Sequence, residues 1–159
     1  MAYRRIVAAV ALQRYLDFTP ISLRIRDLAA LLAQASGASL TVLSVDAPVE
    51  LLPGVETTAD KLERFCEPLR AAGTEVAILM REGRPSRVIP EVVAELGADL
   101  LVVGTHSKRG PVDVGLGSTV SALDRDLAAT VLLVRPTSAE QEAARELMIP
   151  RYPLVFPYG

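Results

Sequence analysis

The sequence predicts an α/β fold in which one open sheet of parallel strands carries helices on both faces. Three observations predict it. Five short β-rich runs alternate along the chain with segments of helical apolar spacing. The first, fourth and fifth runs are almost continuously apolar, as strands buried on both faces of a parallel sheet are. The connections are short, which favours right-handed crossovers that cover the sheet with helices.

The predicted elements follow one another without an internal boundary for a second folded unit. Strands are expected over residues 4–12, 39–45, 75–80, 100–103 and 130–134. Helical spacing of apolar residues fills the intervals, over residues 23–32, 62–69, 88–96 and 120–127. The two long loops, 46–56 and 104–117, are the places where a compact α/β unit usually carries its function.

The residues at the predicted helix ends support these boundaries. Thr19 or Ser22 can cap the first helix, with Pro20 in its first turn. Three glycines each follow a helical run and precede a strand, where a left-handed C-cap is favoured: Gly37, Gly73 and Gly97.

Composition narrows the class of protein. The chain has 159 residues, the length of one ordinary domain. Its formal net charge of −2 gives no reason to expect a nucleic acid partner. No apolar run reaches the roughly 18 residues of a membrane span. The apolar stretch after Arg5 is interpreted as a first strand, because Gln13 and Arg14 follow at once without a cleavage pattern. A cytoplasmic protein is expected, and the single cysteine, Cys66, is expected to be a packed core thiol.

A glycine-rich loop, Gly104 to Thr119, is the most informative segment. It leaves the carboxyl end of a buried strand, where ligands bind in open α/β sheets, and returns into a helix at Gly117-Ser118-Thr119. Such a helix start offers backbone N–H groups, hydroxyl donors and the positive end of the helix dipole. The segment therefore predicts an anion site that suits phosphate.

Two common phosphate motifs do not fit this loop. A P-loop would use the spacing of Gly110 and Gly115, but Leu116 stands where its lysine belongs. A dinucleotide fingerprint over residues 115–120 lacks its third small residue, because Val120 stands there, and it begins more than ten residues after its strand.

A third pattern, ADLLVVGTHSKRG…GLGSTVSAL…ATVLLVRP, resembles the universal stress protein family from about residue 3 to 136. Members that bind ATP carry Gly-x2-Gly-x9-Gly-Ser/Thr here, and Gly104, Ser107, Gly117 and Ser118 occupy those positions. The resemblance implies a Rossmann-like sheet of five parallel strands in the order 3-2-1-4-5. It also implies a nucleotide-binding domain over residues 1–136, followed by a C-terminal helix and tail over 137–159.

The resemblance further implies an adenine nucleotide as ligand, with ATP favoured and Mg a possible companion. The residues expected to line the ribose and phosphates are Gly104, Thr105, His106 and Ser107. Those expected to hold the phosphates at the helix start are Gly117, Ser118, Thr119 and Val120. Lys108 and Arg109 are candidates to neutralise phosphate, the alternative being a solvent-facing position.

Two departures from the family pattern affect the site. Ser107 replaces the second glycine of the motif, and its Cβ narrows the approach of a phosphate. Ala11 stands where the family usually ends its first strand with an acidic residue. Asp17, in the longer loop that follows, is a candidate to replace that carboxylate, the alternative being a turn residue before the helix cap.

The expected function is that of a small regulatory stress-response protein. The resemblance implies a homodimer through the last strand, Val131 to Val134, and the charge and hydropathy of the chain lead us to expect no nucleic acid and no membrane partner. An enzyme is not expected, since there is no Ser/His/Asp arrangement, no paired carboxylates and no Walker lysine, although slow ATP hydrolysis stays open. The alternatives are an adaptor of the same fold that has lost nucleotide binding, and a protein that uses the site for AMP or a cyclic nucleotide.

The C-terminal segment is predicted separately. Ser138 to Gln141 has the form of a capping box and is expected to open a short helix that ends near Met148. Three prolines within residues 149–159 exclude a regular helix or central strand there. This apolar tail is expected to dock either on its own domain or on a neighbouring subunit.

Overall fold

The computed structural model describes residues 3–48, 54–105 and 127–149. All five strands lie in one parallel sheet of order β3-β2-β1-β4-β5, which confirms the predicted fold class. The strands are Arg5–Val10 (β1), Ser39–Asp46 (β2), Val76–Glu82 (β3), Leu100–Gly104 (β4) and Thr130–Val134 (β5). The helices are Pro20–Ser36 (α1), Thr58–Ala71 (α2), Pro85–Leu96 (α3) and Ser138–Leu147 (α4). Of the helix predicted over 120–127, only Leu127 lies within the described residues.

The central strand β1 divides the core into two layers. Its residue Ile6 pairs with β2 on one side and β4 on the other, so both neighbours are parallel to it. Successive residues of β1 face opposite sides of the sheet. Ile6 and Ala8 pack with α1 and α2, and Val7 and Ala9 pack with α3. Burial on both faces explains why this strand has no polar alternation in sequence.

The predicted helix ends agree closely with the structure. Thr19 is the N-cap of α1, and its Oγ1 accepts a hydrogen bond from the Ser22 N–H at 3.2 Å. Gly37 and Gly97 are left-handed C-caps at φ +73° and +63°, and Gly73 follows the end of α2 at φ +85°. Side chains with a Cβ are disfavoured at such φ values, which is why glycine occupies each turn.

The capping box of α4 lies one residue earlier than predicted. Thr137, and not Ser138, is the N-cap, and its Oγ1 accepts from the Glu140 N–H at 3.1 Å. The Glu140 carboxylate in turn accepts from the Thr137 N–H at 2.8 Å. Thr137 and Ser138 can both cap a helix. Only Thr137 as N-cap places the Glu140 carboxylate at the third helical position, where it is a stronger hydrogen-bond acceptor than the amide of Gln141.

Cys66 is a fully buried free thiol on α2, as predicted. Burial raises the pKa of Cys66 to about 11, so the thiolate is scarce at neutral pH. Among the described residues, no helix combines the length and the apolar character that crossing a membrane requires.

Candidate ligand-binding site

A cavity of about 470 Å³ lies at the carboxyl edge of the sheet. Its floor is formed by the ends of β1, β2 and β4, and its walls by the first turns of α1 and α3 together with α4. Three of the predicted site residues line it: Ala11, Gly104 and Thr105. Other residues that line it are Tyr15, Thr19, Ile21, Ser22, Ile25, Pro85, Glu140, Gln141, Ala144, Arg145 and Met148.

Gly104 ends β4 directly beneath α1. A Cβ at this position would lie 3.1 Å from Cδ1 of Ile25 and 3.3 Å from Cγ1 of Ile21. Glycine therefore permits a close approach of strand and helix at the cavity floor. The next residue, Thr105, is buried, and its N–H donates to the Val134 carbonyl at 3.0 Å, which extends the pairing of β4 with β5.

The N-terminal ends of two helices meet the cavity. At the start of α1, Thr19 and Ser22 are both buried, and the Thr19 hydroxyl donates to the Ser22 Oγ at 3.1 Å. Helix α3 begins at Pro85, and its N-cap Arg84 makes no side-chain capping hydrogen bond. Both helices direct the positive ends of their dipoles toward the carboxyl edge, so an anionic ligand is favoured there over a cation.

A buried lysine holds the loop between β1 and α1. The Nζ atom of Lys61, on α2, donates to the main-chain carbonyls of Tyr15 at 2.6 Å, Leu12 at 3.1 Å and Gln13 at 3.5 Å. Burial lowers the pKa of Lys61, while the carboxylates of Glu56 and Asp46 act in the opposite direction. Because three carbonyls converge on one ammonium group, the loop has a defined shape beside the cavity.

Gln13 adds a second anchor to the same loop. Its side-chain amide donates to the Ala47 carbonyl at 2.9 Å and accepts from the Ala47 N–H at 2.9 Å. This reciprocal pair copies the pattern of a strand pair and ties the loop to the end of β2.

Asp17 lies outside the cavity lining. Its carboxylate accepts from the Phe18 N–H at 2.8 Å and from Nη1 of Arg64 at 3.2 Å. The hydrogen bond from the Phe18 N–H lowers the pKa of Asp17 most; burial opposes it, and Arg64 lowers the pKa further. Arg64 also binds Glu56 and lies over the Phe18 ring at 4.2 Å. The structure therefore brings Asp17 together with α2 and not with Ala11.

The C-terminal segment closes one side of the cavity. The Leu16 N–H donates to the Leu147 carbonyl at 2.8 Å, and the Ile149 N–H donates to the Arg14 carbonyl at 2.7 Å. These bonds flank an antiparallel bridge between Tyr15 and Met148. Burial raises the pKa of the Tyr15 hydroxyl, with Arg14 acting in the opposite direction.

The other end of α4 is attached to α1. Arg24 forms an ion pair with Glu140 and donates to the Arg135 carbonyl at 3.3 Å. The hydrogen bond from the Thr137 N–H lowers the pKa of Glu140 most; burial opposes it, and Arg24 lowers the pKa further. The helix is therefore fastened at both ends across the carboxyl edge.

The remaining predicted site residues lie outside the described ranges: His106, Ser107, Lys108, Arg109, Gly117, Ser118, Thr119 and Val120. The last ten residues of the predicted tail, 150–159, do so as well, whereas Ile149 is buried. In the described part, no three potential metal-ligating side chains cluster together.

Sequence reasoning did not find several of the lining residues. Thr19 and Ser22 were expected only as caps, although the start of the helix that follows a buried strand lies at the same edge of the sheet. Tyr15 and the inner residues of α4 carry no such signal in the sequence. A second surface depression, of about 920 Å³, lies at the opposite edge beside Gly37 and Gly73, and no predicted site residue lines it.

Sequence comparison points to one family. The model of the "Universal stress protein family" matches residues 2–135. A stretch of 61 residues, 38% of this chain, is 34% identical to the universal stress protein E homolog of Haemophilus influenzae. The match covers 20% of that relative, so the chain spans about a fifth of its length.

Solved structures share the fold. A universal stress protein crystallised in complex with cAMP is 27% identical, with a TM-score of 0.62, and the match covers 84% of this chain and 98% of that one. A universal stress protein from Archaeoglobus fulgidus DSM 4304 is 22% identical, with a TM-score of 0.65, over 85% of this chain and 45% of that one. At that lower identity the likeness concerns the fold alone.

Proposed function

Because the chain belongs to the universal stress protein family, we propose that it is a small regulatory protein that binds an adenine nucleotide at the carboxyl edge of its sheet. The observation that carries the proposal is the cavity in which Ala11, Gly104 and Thr105 meet the starts of α1 and α3. A relative at 27% identity binds cAMP, which supports the same class of ligand here.

The cavity suits a nucleotide in size and polarity. Its volume of about 470 Å³ lies within the roughly 300–1,000 Å³ of small-molecule sites. Apolar strand ends on β1 and β2 suit a base, and the Gly104 and Thr105 end leads into the segment predicted to hold phosphate. We favour ATP within this class on the strength of the motif that begins at Gly104, with AMP and cyclic AMP as the competing ligands.

The role we propose is regulatory and not catalytic. Among the described lining residues Glu140 is the one carboxylate, and it is already hydrogen-bonded to Thr137 and Arg24. It is therefore poorly placed to act as a general base or to hold Mg, which would arrive with a triphosphate.

We also propose that the protein works as a cytoplasmic homodimer joined through β5. This strand is the last of the sheet, and its residues Val131 to Leu133 are only half-buried. An apolar edge strand is a ready surface for a second copy. Analytical ultracentrifugation of the wild type and Leu132→Lys tests this, since a dimer of that kind should dissociate in the variant and a monomeric wild type would refute it.

The nucleotide proposal is tested by titration calorimetry of the full chain with ATP, AMP and cAMP, together with mass spectrometry of any ligand released on denaturation. Ala11→Phe places a ring in the cavity from an exposed position and should weaken binding at least tenfold. Ala94→Phe, the same change on the exposed face of α3, is the matched control. A folded wild type that carries no nucleotide and binds none of the three would favour the alternative, an interaction protein without a nucleotide.

A further inference from the structure

Helix α4 lines the candidate site although it lies beyond residues 2–135, the stretch that matches the family. Besides Glu140 in its first turn, three of its residues and its C-cap line the cavity: Gln141, Ala144, Arg145 and Met148. Their spacing of three, four and seven residues places them on one face of a helix. A whole helical face therefore borders the same space as the strand ends.

The volume of the cavity shows that α4 borders the site without filling it. With α4 in place, about 470 Å³ is left, which is enough for a small-molecule ligand. The helix is also fastened at both ends, through Arg24 and Glu140 at its start and through the Leu16 and Ile149 N–H groups at its end. A ligand can thus occupy the site without displacing α4.

The inner face of α4 offers one polar group suited to recognition. Arg145 is already paired with Glu142 on the helix surface, and Ala144 and Met148 are apolar. The side-chain amide of Gln141 is half-buried and has no hydrogen-bond partner among the described residues. An amide combines a donor and an acceptor, the combination that matches the adjacent N6 donor and N7 acceptor of adenine.

We propose that α4 is an integral wall of the ligand site and that Gln141 is a specificity-determining residue that favours adenine. The proposal rests on the proposed function, because it assigns a contact to the nucleotide bound there. It predicts that ligand binding and docking of the C-terminal segment stabilise each other, since the ligand contacts α4 only in its docked position.

The test uses the full chain as wild type, Gln141→Ala, Gln141→Glu and the control Glu146→Ala on the opposite face of α4. Each is titrated with ATP, cAMP and GTP. Gln141→Ala should weaken both adenine ligands about threefold to tenfold, the range for one lost uncharged hydrogen bond, and change GTP binding little. Gln141→Glu should also weaken both adenine ligands without improving GTP binding, because a carboxylate has no donor for adenine N7 and guanine presents two acceptors, O6 and N7, at the same edge. Glu146→Ala should match the wild type.

Hydrogen exchange supplies a second readout. Bound nucleotide should slow the exchange of the Leu16 and Ile149 amides, which bridge the loop and the C-terminal segment. If the wild type binds an adenine nucleotide but Gln141→Ala matches Glu146→Ala and those amides exchange unchanged, the inference is wrong while the proposed function stands. If the folded wild type binds no adenine nucleotide, both are overturned. Circular dichroism melts verify that every variant is folded.

Discussion

The two edges of the sheet are built from the same strands but are closed by different means. At the amino edge, short turns are closed by main-chain hydrogen bonds such as Ser39 N–H to Arg4 O and Asp99 N–H to Arg5 O, both 2.9 Å. At the carboxyl edge, longer connections surround a cavity and are held by side-chain hydrogen bonds, those of Lys61 and Gln13 among them. The C-termini of α1, α2 and α3 lie at the first edge and their N-termini at the second.

This difference shows how a single fold separates stability from recognition. Substitutions at the amino edge should alter the free energy of unfolding and leave ligand affinity unchanged. Substitutions at the carboxyl edge should alter affinity, and those that remove an anchor should alter both. Variants at each edge test whether stability and ligand affinity change separately.

The largest effect is expected from Lys61→Met. The variant leaves three main-chain carbonyls without their ammonium donor, so we expect the free energy of unfolding to fall by about 2–4 kcal/mol. Nucleotide affinity should fall as well, because the loop carrying Tyr15 loses its anchor. Urea unfolding and calorimetric titration measure the two effects. Glu67→Met, on the exposed face of α2, is the control. An equal loss of stability and affinity in this variant would contradict the role of Lys61 as the anchor of the loop.

A matched pair of glycine variants compares the edges directly. Gly37→Ala forces alanine into φ +73°, in otherwise open space, and should cost about 1–2 kcal/mol of stability without changing affinity. Gly104→Ala places a Cβ 3.1 Å from Ile25 and should weaken nucleotide binding, because the cavity floor must shift. Urea unfolding measures the stability of both variants, and calorimetric titration measures their nucleotide affinity. An affinity loss in Gly37→Ala would contradict the separation of the edges.

A smaller effect is expected from Asp99→Asn at the amino edge. The Asp99 carboxylate accepts from the N–H groups of Arg5 and Arg4 at distances of 2.9–3.1 Å, and these bonds lower its pKa below the ordinary 3.8. The folded pKa is therefore lower than the unfolded one, so its stabilising contribution is complete above pH 3.8 and is lost as the pH falls further.

Thermal melts between pH 2 and 7 test this contribution. The wild type should lose more stability on acidification than Asp99→Asn, whereas nucleotide affinity at neutral pH should be equal. Glu75→Gln, an exposed carboxylate at the same edge, is the control and should keep the acid dependence of the wild type. Parallel curves for the wild type and Asp99→Asn would refute the role of Asp99.

What could be predicted from the sequence depended on local patterns. The apolar runs located every strand to within about two residues, although β1 ends at Val10 and β3 continues to Glu82. Gly37 and Gly97 were identified as left-handed caps because a helical run before each glycine and a strand after it leave few alternatives. The strand order was predicted from the family resemblance and not from these patterns, and the sheet topology confirms it.

What could not be predicted depended on contacts distant in sequence. Lys61 reads as an ordinary surface residue of a helix, since nothing nearby indicates that three carbonyls some 46–49 residues away converge on it. The docking of α4 beside the cavity depends on Arg24, more than 100 positions earlier. The same limit applies to Asp17, which lies in the loop before α1 and whose partner Arg64 lies on α2.

The anchors of the loop between β1 and α1 have a consequence for its evolution. Lys61 grips carbonyl oxygens, and the C-terminal segment pairs with the main chain of Arg14 and Leu16. Main-chain atoms are common to every residue except for the missing N–H of proline. Tyr15, which lines the cavity between them, is likewise held through its carbonyl oxygen. The side chain at this position can therefore change, and with it the ligand preference of the site, while the main-chain hydrogen bonds keep the shape of the loop.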